Sequence, residues 1–356
     1  MTDSVEQRVI DYFNSSAINN SLLNLCFNPK WLEFKLNNQD LEDVEKQHFR
    51  VGQAIDELLT NPNVFNNHFY VWTHSRPGGL MARFIEALPS DLFILDEQEQ
   101  QMAYDLAYQT SGYKKSKSSV IAAFEQSDSF KSYFNAKNIA QGKKILSTED
   151  LVQVENAVSS LNIVDEAKQY FSAFNRNPNI EILHQVPIYF YFKGLKMKCL
   201  LDGVKIDHEN KKIVPFDLKS IGKSVYEFED SLFQFGYYRQ FSFYQYAIMT
   251  AIKTQIWPFE DPKYKDYELS TFEAIVVPKK DEGYPALIYE IDTSILKLGA
   301  MGGEYRDRKY KGFFELVDNF IYHTSTRDYR APKWVIDSNF KLRLSINNEM
   351  KEEEKK

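Results

Sequence analysis

The sequence predicts an α/β protein: a β-sheet built from residues between 181 and 292, flanked by helices. Three observations predict it. Five short runs rich in Val, Ile, Tyr and Phe cluster in that interval, and such runs read as strands. Two segments before them, 49–62 and 146–161, carry apolar residues at helical spacing. A long aromatic stretch, FGYYRQFSFYQYAIMTAI, stands between the third and fourth strands with the length of a helix.

Taken in order, Asn19, Asn20 or Ser21 can cap a short apolar helix that Asn28-Pro29 would stop. FRVGQAIDELLTNP follows, with Val51, Ala54, Ile55, Leu58 and Leu59 on one face and Asn61-Pro62 as the end. Residues 63–146 are mixed, with YKKSKSS an exposed lead into a helix. In LSTEDLVQVENAVSSL, Ser147 or Thr148 caps, Glu149 and Asp150 sit in the first turn, and Leu151, Val154, Ala157, Val158 and Leu161 form the apolar face. The strands are EILHQVPIYFYF, LKMKCLLDGVKI, KIVPFDLKS, TFEAIVVP and ALIYEID, with HENKK a turn between the second and third. Helix with loops is expected from Leu296 to about Leu344, then a charged tail. No Gly/Ser-rich linker divides the chain. The expectation is a single domain over 1–345, made of a helical N-terminal part (about 1–145), a core (about 146–295) and a helical C-terminal part (about 296–345), with 346–356 as tail.

Composition narrows the function classes. The net charge is −7, from 43 basic and 50 acidic residues. That weighs against a protein coated in nucleic acid but allows a local basic groove, because attraction to phosphate depends on where charges sit. Cys26 and Cys199 cannot supply four thiolates for an iron–sulfur cluster or structural zinc. MTDSVEQRVIDYF lacks the apolar core of a secretory signal, and no run approaches the ~18 apolar residues of a membrane span. A soluble, cytoplasmic protein without membrane partners is expected.

Chemistry concentrates in LLDGVKIDHENKKIVPFDLKS, residues 200–220. Asp202 ends one apolar run, and Asp217 and Lys219 end the next. Antiparallel strands joined by a turn can bring two such carboxylates together. Their repulsion is relieved by a shared divalent cation, with hard oxygen ligands suiting Mg²⁺ or Mn²⁺. Lys219 projects to the same face as Asp217 and can orient water or offset charge on a phosphate. Leu218 points away, its carbonyl left to ligate metal. A triplet of this kind also arises by chance at strand ends, so its weight comes from its surroundings.

The pattern of an Asp, a turn, then Asp-x-Lys resembles the PD-(D/E)XK nuclease superfamily, whose restriction-endonuclease-like core is a mixed sheet flanked by helices. Gln240 and Tyr244, four residues apart on one helix face, match the Q-x-x-x-Y pair of its RecB-like branch. NNSLLNLCFNP, GKKILSTEDLVQVENAVSSL and FRVGQAIDELL resemble segments of the RecE-like (exonuclease VIII type) phage exonucleases. The resemblance runs at motif level from about residue 15 to about residue 335, with a gap over 63–140. It implies a metal-dependent DNA exonuclease. Asp202, Asp217, Lys219, Gln240 and Tyr244 would be its catalytic residues, and Asp202, Asp217 and the Leu218 carbonyl would hold Mg²⁺, with Mn²⁺ substituting.

The resemblance further implies 5′-to-3′ resection of double-stranded DNA ends, a single-strand annealing partner and a ring-shaped homo-oligomer in a phage-infected bacterial cytoplasm. The sequence departs from the family at Asp56, which stands where the pattern has a metal-ligating histidine; Asp56 itself, or Glu57, would take that role, or the position is lost. Gln185 occupies the place of an acid that often precedes the Asp202 strand, with Glu181 four residues earlier. His184 and His208 read as strand-edge and turn residues. Lys193, Lys196, Lys198, Lys223 and Arg239 form a group of candidate phosphate contacts. Two alternatives stand beside this reading: a non-catalytic DNA-binding or partner-docking relative, and a single-strand or structure-selective nuclease.

Overall fold

The computed structural model describes residues 4–37, 47–74, 76–172, 174–280 and 283–341. The expected tail at 346–356 lies outside the described residues. The chain divides into two compact units, Glu45–Ser159 with Lys279–Asp281, and Met1–Val44 with Ser160–Pro278 and Glu282–Lys356. Residues 1–44 group with the sheet.

In the Glu45–Ser159 unit, two short parallel strands, β1 (Phe69–Val71) and β2 (Lys144–Leu146), accompany a set of helices. The helix Gln47–Thr60 buries Val51, Ala54, Ile55 and Leu59, the face its spacing predicts. Trp72, Phe84, Phe124, Tyr133 and Phe134 form the core of the segment left unassigned in the sequence. Ser147 caps the Thr148–Asn162 helix: its Oγ accepts the Asp150 N–H at 3.3 Å, and Asp150 Oδ2 accepts the Ser147 N–H at 3.2 Å. That same Asp150 oxygen receives Arg50 Nη2 at 2.9 Å. The buried guanidinium thus finds a buried carboxylate, as such charges require.

The other unit carries the sheet. Its strands are β3 (Ile180–Phe192), β4 (Leu195–Asp207), β5 (Lys212–Ile221), β6 (Glu268–Leu269), β7 (Glu273–Pro278) and β8 (Leu287–Glu290), in the order β3-β4-β5-β7-β8 with β6 also on β5. Pairing is antiparallel along β3-β4-β5 and between β7 and β8, and parallel between β5 and β7. The sheet is therefore mixed, and helices flank it, as expected. Parallel neighbours need a crossover. The aromatic helix Tyr237–Thr254 lies in it, burying Phe241, Phe243, Ala247, Ile248 and Ala251 in the same core as Val186, Ile188, Leu201 and Ile206.

At the N-terminal end Asn19 caps the helix Asn20–Asn24, its Oδ1 accepting the Leu22 N–H at 2.8 Å. Pro29 does not stop the chain there. It opens a further helix, Pro29–Leu36, at a first-turn position where its missing N–H costs nothing. After β8 come the helix Thr293–Met301, a small hairpin of β9 (Gly303–Tyr305) and β10 (Arg308–Tyr310), and the helix Phe313–Thr326. No helix among the described residues is long and apolar enough to cross a membrane.

Candidate active site

The β4–β5 ladder explains why two aspartates meet. Its last pair is Gly203↔Phe216, and β5 then continues from Asp217 to Ile221 beside β7 alone. Asp202 and Asp217 are the next residues on each strand beyond that pair. Continued pairing would set like charges directly opposite, which destabilises a sheet. The strands part instead, and Asp202 Oδ2 accepts the Leu218 backbone N–H at 2.8 Å. Asp202, which ends an apolar run in the sequence, lies within β4, which runs on to Asp207.

A change of phase in both strands puts Asp202 in this gap. Val186, Ile188 and Phe190 face the core on β3, as do Met197, Cys199 and Leu201 on β4. One step further along, Leu183, Val204 and Ile206 face it instead. The interval across the step is three residues on each strand, where regular alternation gives two. The step falls at Gln185 and Asp202, between the ladder pairs His184↔Gly203 and Val186↔Leu201. Gln185 absorbs the slip with φ +49, the left-handed region. A local disruption of this kind re-aims a side chain. Here it brings Asp202 toward the face of the Tyr237–Thr254 helix, and the Asp202 charge is felt at Lys219 and Tyr244.

On the opposite face the Phe216 ring lies over Gly203. A Cβ built on Gly203 would stand 2.1 Å from Phe216 Cζ. Phe216 in turn meets His184 edge-on at 6.1 Å and Phe171 at 6.2 Å. Burial pushes the His184 imidazole down to about 4, with the Asp202 carbonyl opposing. His184 is therefore a neutral packing residue beside Phe216 and Phe171.

Lys219 forms an ion pair with Asp217. The Asp217 side chain is 2 % exposed and that of Lys219 15 %. Burial raises the Asp217 carboxyl above the usual carboxylate range, with Lys219 pulling the other way. Burial alone would depress Lys219, but the charges of Asp217 and Asp202 outweigh it and hold the ammonium above its ordinary value. The Tyr237 ring lies 4.7 Å from the Lys219 ammonium. Gln240 Nε2 donates to Tyr244 Oη at 3.0 Å, so the pair singled out in the sequence does share a helix face. Burial, with Asp217 and Asp202 nearby, pushes the Tyr244 hydroxyl well above 10. Tyr237 stands outside the residues the sequence singles out, yet Tyr237, Gln240 and Tyr244 follow i, i+3, i+7 spacing, which marks one stripe of a helix.

The donor set suits a hard cation. Two carboxylates converge, one of them buried and paired with Lys219. A strand residue sends its N–H and C=O to the same edge, so the Leu218 carbonyl faces the gap with its N–H. Among the described residues no group of three or more His, Cys, Asp or Glu side chains is assembled. A shell completed by a backbone carbonyl and waters fits Mg²⁺, which keeps several waters when bound.

Asp56 lies half-buried on the Gln47–Thr60 helix of the other unit, where Glu57 is engaged by His68 Nδ1 at 2.8 Å. Glu181 pairs with His208 Nε2 at 3.0 Å, tying the β4–β5 turn to β3. Lys198 is no phosphate contact: it is buried, and its Nζ donates to the Tyr12 and Ser15 carbonyls at 2.6 and 2.8 Å. The alternating LKMK pattern gives no sign of this, because the burial comes from the chain near Ile18 bridging to Met197. Lys193 pairs with Asp318 at 2.6 Å, while Lys223 is exposed. Cys26 and Cys199 are buried free thiols, and burial pushes Cys26 up to about 12.

No protein-family model and no curated protein matches the chain. Among solved structures, the chain is similar to one described as "Putative exonuclease" from Eubacterium rectale, with 12% identity and a TM-score of 0.44 over 97% of this chain and 96% of that one. This likeness is too loose to carry a functional argument.

Proposed function

We propose that this protein is a metal-dependent nuclease of the PD-(D/E)XK type, acting on DNA. The observation that carries the reading is the convergence of Asp202, Asp217 and Lys219 at the point where β4 and β5 part. A structural ion pair needs one carboxylate; here a second is held beside it by a dedicated backbone hydrogen bond. Perturbed groups such as Asp217 and Lys219 are enriched where chemistry is done.

In this reading Asp202, Asp217 and the Leu218 carbonyl hold Mg²⁺. The ion, when bound, supplies Lewis acidity toward water and a phosphate. Lys219 keeps its proton because both carboxylates favour the ammonium. It therefore serves as a donor that orients a nucleophile or offsets charge on a phosphate oxygen. The Tyr237 ring confines it from one side. Gln240 and Tyr244, joined to each other, hold the wall behind the carboxylates. The finer form of the proposal is exonucleolytic, 5′-to-3′ resection of duplex ends for an annealing partner, and it rests on the sequence resemblance alone.

The test is Mg²⁺-dependent release of nucleotides from linear duplex, closed circular duplex and single strands by wild type and Lys219→Ala. Activity on linear duplex that chelation and Lys219→Ala both abolish supports the reading. Equal, chelator-insensitive activity of the two proteins sinks it, and digestion of circles or single strands alone would replace the end-dependent form.

A further inference from the structure

A second feature of the same unit is a groove whose lining does not include the carboxylates. It measures about 400 Å³ and opens at the start of the Tyr237–Thr254 helix, lined among others by Phe27, Phe235, Gly236, Arg239, Lys309 and Lys311. Arg239 is only 6 % exposed. Its Nε donates to Asn24 Oδ1 at 3.1 Å, and its Nη1 to Tyr238 Oη at 2.7 Å and the Lys311 carbonyl at 3.2 Å. Every one of these acceptors is neutral. No carboxylate pairs with Arg239 among the described residues, and no acceptor there takes its Nη2. Buried guanidinium groups are ordinarily paired with an anion, because an uncompensated charge is costly to bury. Arg50, in the other unit, has its carboxylate; Arg239 does not.

The surroundings suit an anion. Gly236, at φ +70, caps the helix without a side chain. A Cβ there would stand 2.6 Å from Arg239 Nη2, so the glycine keeps that nitrogen's approach clear. An uncapped helix N-terminus adds partial positive charge. Lys309 and Lys311 line the groove, held by Glu304 at 3.6 Å and Glu315 at 2.5 Å. Such partly exposed pairs are weak and yield readily to a stronger anion. The aromatic rings add a second kind of recognition. Phe27 lies 4.9 Å from the Arg239 guanidinium, and Phe235 presents a ring that is 58 % exposed.

From this juxtaposition we propose that the groove binds a nucleotide of a single-stranded nucleic acid, its phosphate on Arg239 Nη2 and the helix start, its base against Phe235. An exposed ring beside cations stacks unpaired bases and accepts any of them. A duplex, whose bases are already stacked, would offer only its phosphates. Lys309 and Lys311 would follow the neighbouring phosphates. The site does not depend on the metal-dependent chemistry and is tested without it.

The experiment is fluorescence anisotropy of a labelled short oligothymidylate with the full chain in EDTA, compared with an abasic strand of equal length. Thymidine monophosphate and inorganic phosphate serve as competitors. Saturable binding to oligothymidylate is expected. Phe235→Ala should weaken it about tenfold through lost stacking and leave the abasic strand unaffected. Arg239→Gln should weaken both strands about tenfold, and Lys309→Ala should lower the salt dependence of both. Should Arg239→Gln melt early, Phe235→Ala and Lys309→Ala, both exposed, decide the matter. The proposal is overturned if these two bind both strands as wild type does, or if no saturable binding occurs. It is equally overturned if inorganic phosphate competes as strongly as the strand, which would make the groove a site for a free anion, or if thymidine monophosphate does, which would make it a mononucleotide site rather than one for a strand.

Discussion

Asp202 reaches across the point where β4 and β5 separate and accepts the Leu218 amide at 2.8 Å. One side chain thereby does two jobs: it satisfies a strand-edge donor that the missing ladder leaves over, and it keeps a carboxylate beside Asp217. The two jobs are separable by mutation. Asparagine retains an oxygen acceptor for the amide but removes the charge. Asp202→Asn should therefore unfold within about 0.5 kcal/mol of wild type, whereas Asp202→Ala should lose about 1–2 kcal/mol. Both should lose Mg²⁺-dependent cleavage by about a hundredfold or more. Chemical denaturation and initial rates, measured on the same samples, check this; Asp202→Asn with full activity would remove the carboxylate from the mechanism.

Gly203 is fixed by its partner across the ladder. With 2.1 Å between a built Cβ and the Phe216 ring, Gly203→Ala forces the ring off its position. Overpacking of this kind costs about 1–3 kcal/mol. Because the clash is with one side chain, Phe216→Ala combined with Gly203→Ala should cost less than the sum of the two single changes, a coupling of about 1 kcal/mol or more. A double-mutant cycle by urea denaturation reads it, and strict additivity would show that the ring is not what excludes the methyl group.

The strands, the Tyr237–Thr254 helix and the Gln240–Tyr244 pair were legible because each depends on local periodicity. Residues Leu183 to Val186 and Leu201 to Val204 were not, since a three-residue core interval looks like an ordinary break in alternation. Nothing in the identity of Gln185 announces a left-handed backbone. The helices between 63 and 146 were obscured differently. Glu97–Ser111 buries only Tyr104, Ala107 and Ser111 while exposing Met102 and Leu106, so its apolar stripe is blurred in the sequence. Arg239 read as one surface cation in a group, because burial by Asn24 and Lys311 comes from segments far away in the chain.

Gln185 holds the phase change at a cost. A residue with a Cβ in the left-handed region is disfavoured by about 1–2 kcal/mol relative to glycine. Gln185→Gly should accordingly be neutral or stabilising in backbone terms, while Gln185→Val, β-branched, should destabilise by about 2 kcal/mol or more. If the twist serves to aim Asp202, Gln185→Val should also lower cleavage in the fraction that stays folded. Thermal unfolding together with rates per folded molecule separates the two effects. A valine variant as stable as wild type would mean that the positive φ at Gln185 is not required.

The last expectation concerns acid. The imidazole of His184, stacked at 5.9 Å on Phe171 and shielded by Phe216, is pushed down to about 4 by burial from the usual 6.5. The folded state thus refuses a proton that the unfolded chain accepts. Its stabilising contribution is complete above pH 6.5 and is lost as pH falls toward about 4. A shift of this size corresponds to about 3–4 kcal/mol at most, less where solvent reaches the ring. Replacing His184 with Leu, which cannot take a proton, should flatten this limb: the variant's midpoint should change little between pH 6.5 and 4.5 while that of wild type falls. Parallel curves for the two proteins across that window would show that the acid sensitivity arises from other groups.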